Sequence, residues 1–589
     1  MDENRNTGPR ASSSPLHVVV LAGALSGVAL RLGWEPYGAW PAIWLGALPL
    51  CLVLRRSGAW KGAAAGLAFG LAYAAVVPLA VAKWGGASAA ILWILPSLLF
   101  AAVFGIAGGV AAAVDPRARF LVPALVWSAS AFVLDQLLYG SVLLVSPLQL
   151  QPLGVARWIG VFGTAVLAWV PFLVPTLVMA MLERRSILRW FAGGAAVAGG
   201  VVALASPAAV ETSLPTAHLL AVQSSVPADN YARAGSELAT RVGIEAHLDR
   251  LVERATEREP GTIIWPENGN GLPNPQLDRR LEIFKQQLSA GRHDLLVSGP
   301  EYAGDTQRLT VTLVDRRGVV ASARKATTVP LAEADLEPGA PTVLETREGP
   351  LGISICYESI FGRHVRALAQ AGAEVLVVTS DEASFGLSTL PVFHVGHTVA
   401  RAMEVGRSAV FVMNHGPALA YDAASGTFER ASSSGQRGVV SLRVARRSDT
   451  TLAMRGGRHL LPLAAFVWLT WLLRGATRRS TPEAPTSRHA AAWALLTTLV
   501  SASLGGSVAV AVELWGAAKM HGVEVADVAN DLARRLSPLH ARDGLGPLFV
   551  QSRDGRCGQA ALALGLTVLG DMVSEQQLAE ELGRDGERT

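Results

Sequence analysis

Apolar residues follow two rhythms along this chain. Up to about residue 210, and again after about 456, they form long unbroken runs, roughly 16–33, 39–54, 62–82, 87–114, 120–139, 157–182 and 190–210, then Leu460–Leu473 and Ala490–Val512. A helix needs about 20 apolar residues to cross a bilayer. The pattern therefore predicts seven spans, then an eighth whose start reaches back through Gly456–His459, and a ninth candidate at 490–512. The second run is short and follows a Pro36-Tyr37-Gly38 flank. The run from Leu16 is read as a span and not as a cleaved signal, because another follows at once.

Between the long runs the rhythm changes. Short β-rich bursts fall at His218–Gln223, Thr262–Trp265, Asp294–Ser298, Leu309–Val314, Gly352–Cys356, Glu374–Thr379, Ala409–Met413 and Gly438–Val444. Amphipathic stretches lie between them, as at Asn230–Glu257 and Gln276–Ala290. Strands alternating with helices predict an α/β domain with layered sheets.

Charge places these parts. Arg55, Arg56 and Lys61 follow the second run, Arg117 and Arg119 the fourth, and Arg184, Arg185 and Arg189 the sixth, while the loops between are nearly free of Lys and Arg. Basic loops stay on the cytoplasmic side. The expected division is a cytoplasmic tail (1–15), a seven-span domain (16–210), an outer α/β domain (211–455), an eighth span (456–474), a cytoplasmic linker (475–489), a ninth candidate span (490–512) and a small helical C-terminal segment (513–589). With 589 residues the chain exceeds one domain, and 50% hydrophobic against 17% charged residues suits a membrane protein. A net charge of +4 gives no reason to expect nucleic acid. Asp135, near the end of the fifth run, is either an intramembrane functional group or a snorkelling one. Gly160 and Gly163 are expected to allow close helix packing.

The chemistry gathers in the middle domain. Its apolar bursts run into reactive residues at Trp265-Pro266-Glu267, at Lys325 with Glu333 eight residues on, and at Cys356-Tyr357-Glu358. Cys51 and Cys557 lie in other parts of the chain, so Cys356 has no disulfide partner in its own domain. A cysteine where an apolar strand bends into a helix-compatible run is placed as a nucleophile, although a lone core cysteine is the commoner case. Glu267 is the natural general base for it, and Lys325 supplies positive charge for an oxyanion and is expected to lower the thiol pKa. His394 and His397 are three apart, but no third ligand is evident; they are read as packing residues, with no metal and no cofactor expected.

These motifs, with Arg401-Ala402-Met403-Glu404-Val405-Gly406-Arg407 and Asn414-His415-Gly416, resemble the bacterial apolipoprotein N-acyltransferases over roughly residues 16–474. The resemblance implies a nitrilase-like α-β-β-α sandwich on a polytopic α-helical membrane domain in the bacterial inner membrane, with the catalytic domain on the periplasmic side. It implies catalysis by Glu267, Lys325 and Cys356, with Glu333 and Glu358 orienting Lys325 and the base and Tyr357 shaping the pocket. The implied reaction moves a fatty acyl chain from a phospholipid, through a cysteine thioester, to the N-terminal amine of an S-diacylglyceryl-cysteine lipoprotein. The alternatives are a membrane-bound amidase or hydrolase with the same residues, and a non-catalytic paralogue that binds lipid or lipoprotein. The sequence departs from the family at Ala323, Pro330-Leu331-Ala332-Glu333, Asp381-Glu382-Ala383-Ser384-Phe385-Gly386 and Gln223-Ser224-Ser225, changes that bear on acyl and acceptor preference. In the tail, Gln551 to Leu562 resembles the start of bacteriocin-processing-type cysteine peptidases, with Gln551 and Cys557 as a possible second, degenerate site; no histidine follows Cys557 to complete it.

Overall fold

The computed structural model describes residues 14–34, 37–75, 97–112, 119–137, 154–182, 214–226, 238–267, 274–303, 306–329, 333–385, 388–477 and 514–536 apart from 334, 516, 521 and 522, together with 94, 114, 147, 148, 150 and 511. The ninth candidate span, Gln551 and Cys557 lie outside the described residues.

The α/β domain is built on twelve described strands: β1 Thr216–Gln223, β2 Gly261–Ile264, β3 His293–Ala303, β4 Thr306–Asp315, β5 Gly318–Arg324, β6 Val343–Thr346, β7 Gly349–Ile355, β8 Val375–Asp381, β9 Ser408–Asn414, β10 Leu419–Asp422, β11 Thr427–Arg430 and β12 Gly438–Ala445. They form two six-stranded sheets, ordered β12-β1-β2-β3-β4-β5 and β11-β10-β9-β8-β7-β6. In each sheet three consecutive strands run parallel, β1-β2-β3 and β7-β8-β9.

Strand alternation explains the layers. Leu219, Ala221 and Ile264 of the first sheet meet Ile353, Ile355, Val377 and Val412 of the second in one apolar layer. Their neighbours in sequence point the other way. Leu220, Val222 and Ile263 pack on Leu248 and Phe284 of two helices, Leu238–Thr256 and Asn274–Gln287. Leu376, Val378 and Phe411 pack on Val365 and Leu368 of Gly362–Gln370 and on Val399 and Met403 of Leu390–Val405. The order is helix, sheet, sheet, helix, as the resemblance implied. A one-residue slip would turn each strand's apolar set to the wrong layer, so burial fixes the register. Each fully buried Leu, Ile or Val contributes about 1.5–3 kcal/mol.

The outer helical layer of the second sheet continues into the N-terminal helices. The cluster that holds Met403 and Phe411 also holds Val19, Phe69, Phe104, Trp127 and Phe172. These helices approach closely through glycine. A Cβ on Gly66, in helix Ala59–Ala74, would run into the backbone carbonyl of Phe104 in helix 97–112.

No helix among the described residues is long and apolar enough to cross a membrane. Several predicted runs are interrupted. Run 39–54 becomes Trp40–Leu45 and Leu48–Leu54. Run 157–182 becomes Val155–Phe162, a 3-10 turn Thr164–Ala168, and Val170–Leu182. Gly163 makes that break: expected inside a helix, it sits at φ 70°, beyond ordinary helix geometry. A Cβ on Gly160 would meet only ordinary contacts, Met403 O at 3.7 Å being the nearest, whereas one on Gly163 would fall 2.7 Å from Arg458 Cβ. Asp135 lies in helix Val122–Leu137, with its side chain outside the described residues. Helix Leu460–Thr477 follows a 3-10 turn at Gly457–His459 and runs past Leu473.

Candidate active site

Both sheets send a reactive side chain to the same end of the sandwich. Glu267 follows β2 and Lys325 follows β5 in one sheet; Cys356 follows β7 and Asp381 ends β8 in the other. Glu267, Lys325 and Cys356 follow the second, fifth and seventh strands, so the fold and not adjacency in sequence brings them together. The carboxyl ends of parallel strands, where the chain turns into helices, are a common place for such sites.

The local bend at the cysteine is sharp. Ile355 is extended at φ −101°, Cys356 sits at φ 53°, and a 3-10 turn runs over Cys356–Ile360. A positive φ is unusual for a residue with a Cβ and costs about 1–2 kcal/mol. The surroundings therefore have to hold it there.

Lys325 is the hub. Its Nζ donates to Glu333 Oε1 at 2.6 Å and to Glu267 Oε1 at 3.5 Å, and it is 1% exposed. Its backbone is fixed too, with its N–H on Leu309 O at 2.8 Å and its carbonyl accepting Gly339 N–H at 2.7 Å. Burial works against the charge, but Glu333, Glu267 and Cys356 outweigh it and hold the ammonium well above the ordinary lysine range. Burial is also the largest influence on Glu267 and raises its carboxyl, helped by Glu333 and opposed by Lys325. The second Glu267 oxygen accepts the Asp381 N–H at 3.2 Å, and the carboxylate shares a hydrogen bond with the Cys356 thiol.

The thiol does not behave as the sequence suggested. Lys325 does pull its pKa down, yet burial and the Glu267 charge push it well above the ordinary cysteine value. Burial and Glu267 thus favour the thiol over the thiolate. The arrangement can pass the thiol proton to Glu267, whose raised carboxyl is the better acceptor.

The supporting residues divide their tasks. Glu333 touches Lys325 directly and also accepts Val329 N–H at 2.7 Å. Glu358 does not reach the Lys325 side chain. Its Oε2 takes the N–H groups of Ala326 at 2.8 Å and Thr327 at 3.2 Å, and its Oε1 takes that of Ile355 at 2.7 Å. One buried carboxylate thus ties the backbone after Lys325 to the backbone before Cys356. Tyr357 lies edge-on to Phe361 with centroids 4.8 Å apart.

Three further residues belong to this end of the sandwich. Asp381 Oδ1 accepts from Asn414 Nδ2 at 2.9 Å, and Asn414 holds Ser224 Oγ at 2.8 Å and the Val226 backbone. Burial raises the Asp381 carboxyl to about 7, opposed by the Asn414 bond and reinforced by Glu267. Sequence reasoning treated Asp381 and Asn414 only as parts of motifs. The signal was there: β8, like β2 and β7, is an apolar burst that runs into a reactive side chain. His394, read as packing, instead meets the Cys356 carbonyl, while His397 is buried with its ring 5.4 Å from Trp34. Among the described residues no group of His, Cys, Asp and Glu is arranged to hold a metal. The altered wall residues are also built in: Ala323 lies in the layer between the sheets, and Gln223 Oε1 accepts from Ser432 Oγ at 3.0 Å.

Known proteins share sequence and fold features with this chain. A carbon-nitrogen hydrolase family profile matches residues 246–430, which hold Glu267, Lys325 and Cys356. The apolipoprotein N-acyltransferase of Geobacter metallireducens is 28% identical over 187 residues, 27% of this chain and 35% of that protein. That of Methylococcus capsulatus is 26% identical over 281 residues, 44% of this chain and 54% of that protein. The chain thus spans about a third to a half of the length of these curated relatives. A crystal structure of an amidase from Nesterenkonia sp. is 20% identical and covers 44% of this chain and 99% of that one, with a TM-score of 0.33. In sequence the chain is thus similar to apolipoprotein N-acyltransferases, and residues 246–430 match a carbon-nitrogen hydrolase domain.

Proposed function

We propose that this protein is an N-acyltransferase of the membrane surface that moves a fatty acyl chain from a phospholipid to the N-terminal amine of an S-diacylglyceryl-cysteine lipoprotein. The observation that carries the reading is the buried Lys325 locked between Glu333 and Glu267, at the end of the sandwich where Cys356 is held at φ 53°. In the first half-reaction Sγ attacks the ester carbonyl as its proton passes to Glu267. Lys325 stabilises the oxyanion, which is worth several kcal/mol where water is excluded. The C–O bond breaks, the lysophospholipid leaves with the proton from Glu267, and a thioester remains. In the second half the amine attacks the thioester. Its proton goes to Glu267 and returns to Sγ as the C–S bond breaks.

Two features support lipid-borne substrates. The helices beneath the α/β domain expose large apolar side chains, among them Leu21, Leu25, Leu98, Ile106, Phe466 and Trp471, a surface that soluble monomers rarely carry. Those helices also pack against the helix that carries His394, so the site stands directly on the apolar base. The proposed location is the bacterial inner membrane, with the α/β domain outside. The test is incubation of the detergent-purified protein with phosphatidylethanolamine and a synthetic diacylated lipopeptide. A triacylated lipopeptide with lysophospholipid supports transfer. Free fatty acid with unmodified peptide would make the protein a hydrolase, and no turnover would sink the reading.

A further inference from the structure

His394 stands beside the nucleophile. Its Nε2 lies 3.0 Å from the Cys356 carbonyl oxygen and 2.8 Å from Ser359 Oγ, and its Nδ1 lies 3.3 Å from Glu382 Oε1. Ser359 Oγ also donates to the Cys356 carbonyl at 2.9 Å and meets Thr398 Oγ1 at 2.7 Å. Glu382 is itself held, accepting from Ser380 Oγ at 2.7 Å. All of these groups are buried or nearly so.

A carbonyl oxygen can only accept, so His394 and Ser359 act on it as donors. To donate to this carbonyl through Nε2–H and also to bond the Glu382 carboxylate, the ring carries a proton on Nδ1 as well, and Glu382 then fixes the ring plane. The oxygen they hold belongs to the one cysteine in the domain, at φ 53°. Carbonyl direction and φ/ψ are coupled in so tight a bend. Releasing the carbonyl lets Cys356 relax toward negative φ and swing Sγ away from Glu267 and Lys325.

We infer that His394, oriented by Glu382 and seconded by Ser359, is a positioning residue that clamps the Cys356 carbonyl and keeps the nucleophile in its left-handed conformation. It touches neither the acyl carbon nor the proton in flight. The inference rests on Cys356 being the nucleophile of the proposed reaction, but it does not depend on which acyl donor or acceptor is used.

The test separates these two. Full-length protein is treated with iodoacetamide, from which the thiolate displaces iodide. The modification rate at Cys356 is followed by peptide mass, and acyl adduct formation from phosphatidylethanolamine is measured in parallel. His394→Ala is expected to slow alkylation of Cys356 about tenfold, the weight of one well-placed hydrogen bond. His394→Gln, whose amide can donate to the same carbonyl, is expected to recover most of that loss, a rescue that a space-filling role would not give. An unchanged rate in His394→Ala, or a rate in His394→Gln no better than in His394→Ala, overturns the inference. If His394→Ala does not fold, Ser359→Ala carries the test: about threefold slowing supports the clamp, and a wild-type rate overturns it. Alkylation that follows this pattern without any acyl adduct would leave the clamp standing and count against phospholipid as donor.

Discussion

At the scale of residues, the site is an argument about charge in a dry place. Lys325 balances two buried carboxylates, and removing it leaves both without a cation. Breaking a buried pair from one side costs about 3–5 kcal/mol. Lys325→Met is therefore expected to lower the thermal unfolding temperature and to reduce acyl-enzyme formation by about 10²–10³. A variant as stable and active as wild type would contradict the role given to Lys325. Asp381 makes a second prediction. Its folded-state pKa of about 7 stands above its ordinary value of 3.8, so the folded protein holds this proton more tightly than the unfolded chain. The stability it contributes is full below about pH 4 and is lost as pH rises through about 7. Asp381→Asn cannot ionise, so its melting temperature should gain on wild type between about pH 5 and about pH 8. A difference that stays flat with pH, or shrinks as pH rises, would mean that Asp381 ionises freely. Glu267 and Cys356 were legible in the sequence because each follows an apolar burst, and Lys325 through its spacing to Glu333. The raised thiol and the tie from Glu358 to the backbone were not, because both come from burial and cross-domain contacts that no local pattern records.

At the scale of elements, helix Leu390–Val405 joins the cysteine turn to the helical base. Pro391 opens it and Gly406, at φ 69°, closes it. Arg401 on this helix donates to Ile360 O at 3.1 Å, just after the cysteine turn, and to Thr164 Oγ1 at 2.9 Å in the N-terminal helices. Glu404 accepts from Arg401 at 2.9 Å and from Arg366 at 2.7 Å. Burial raises its carboxyl, but the two guanidiniums prevail and hold it below the ordinary glutamate range. Glu404→Gln removes the carboxylate that two buried guanidiniums share and should cost about 3–5 kcal/mol, read by denaturant unfolding in detergent micelles. Stability equal to wild type would show that this helix is held by packing alone. The central strands were legible because burial on both faces makes them apolar throughout, as in β8 and β9. β5, β6, β10 and β11 were missed. Three of them are four residues long, β11 is largely exposed, and β5 turns Val319 and Val320 outward at the sheet edge. β5, β6 and β11 are edge strands, which carry little apolar signal, whereas β10 lies inside its sheet and is simply too short to stand out.

At the scale of the molecule, an α-β-β-α sandwich stands on a helical base whose inner contacts use glycine and whose outer face is apolar. Gly66→Leu would force its helix away from Phe104 and should cost about 1–3 kcal/mol. Gly58, with nothing within 4 Å of a Cβ placed on it, should accept alanine without loss of melting temperature. Equal effects of Gly66→Leu and Gly58→Ala would argue against close packing in the base. The alternation of basic loops and apolar runs was plain in the sequence. The breaks at Gly46, Ala47 and Gly163 were not, because hydropathy averages over a turn that a single backbone angle decides. The central claim is that Cys356 carries the acyl chain. The most direct test is intact mass of the purified protein after brief exposure to phosphatidylethanolamine, wild type beside Cys356→Ala. The account predicts one fatty-acyl increment on wild type alone, removed by neutral hydroxylamine and transferred to the amine of an added diacylated lipopeptide. An increment of the same size on Cys356→Ala, or acylated lipopeptide produced by that variant, would contradict it.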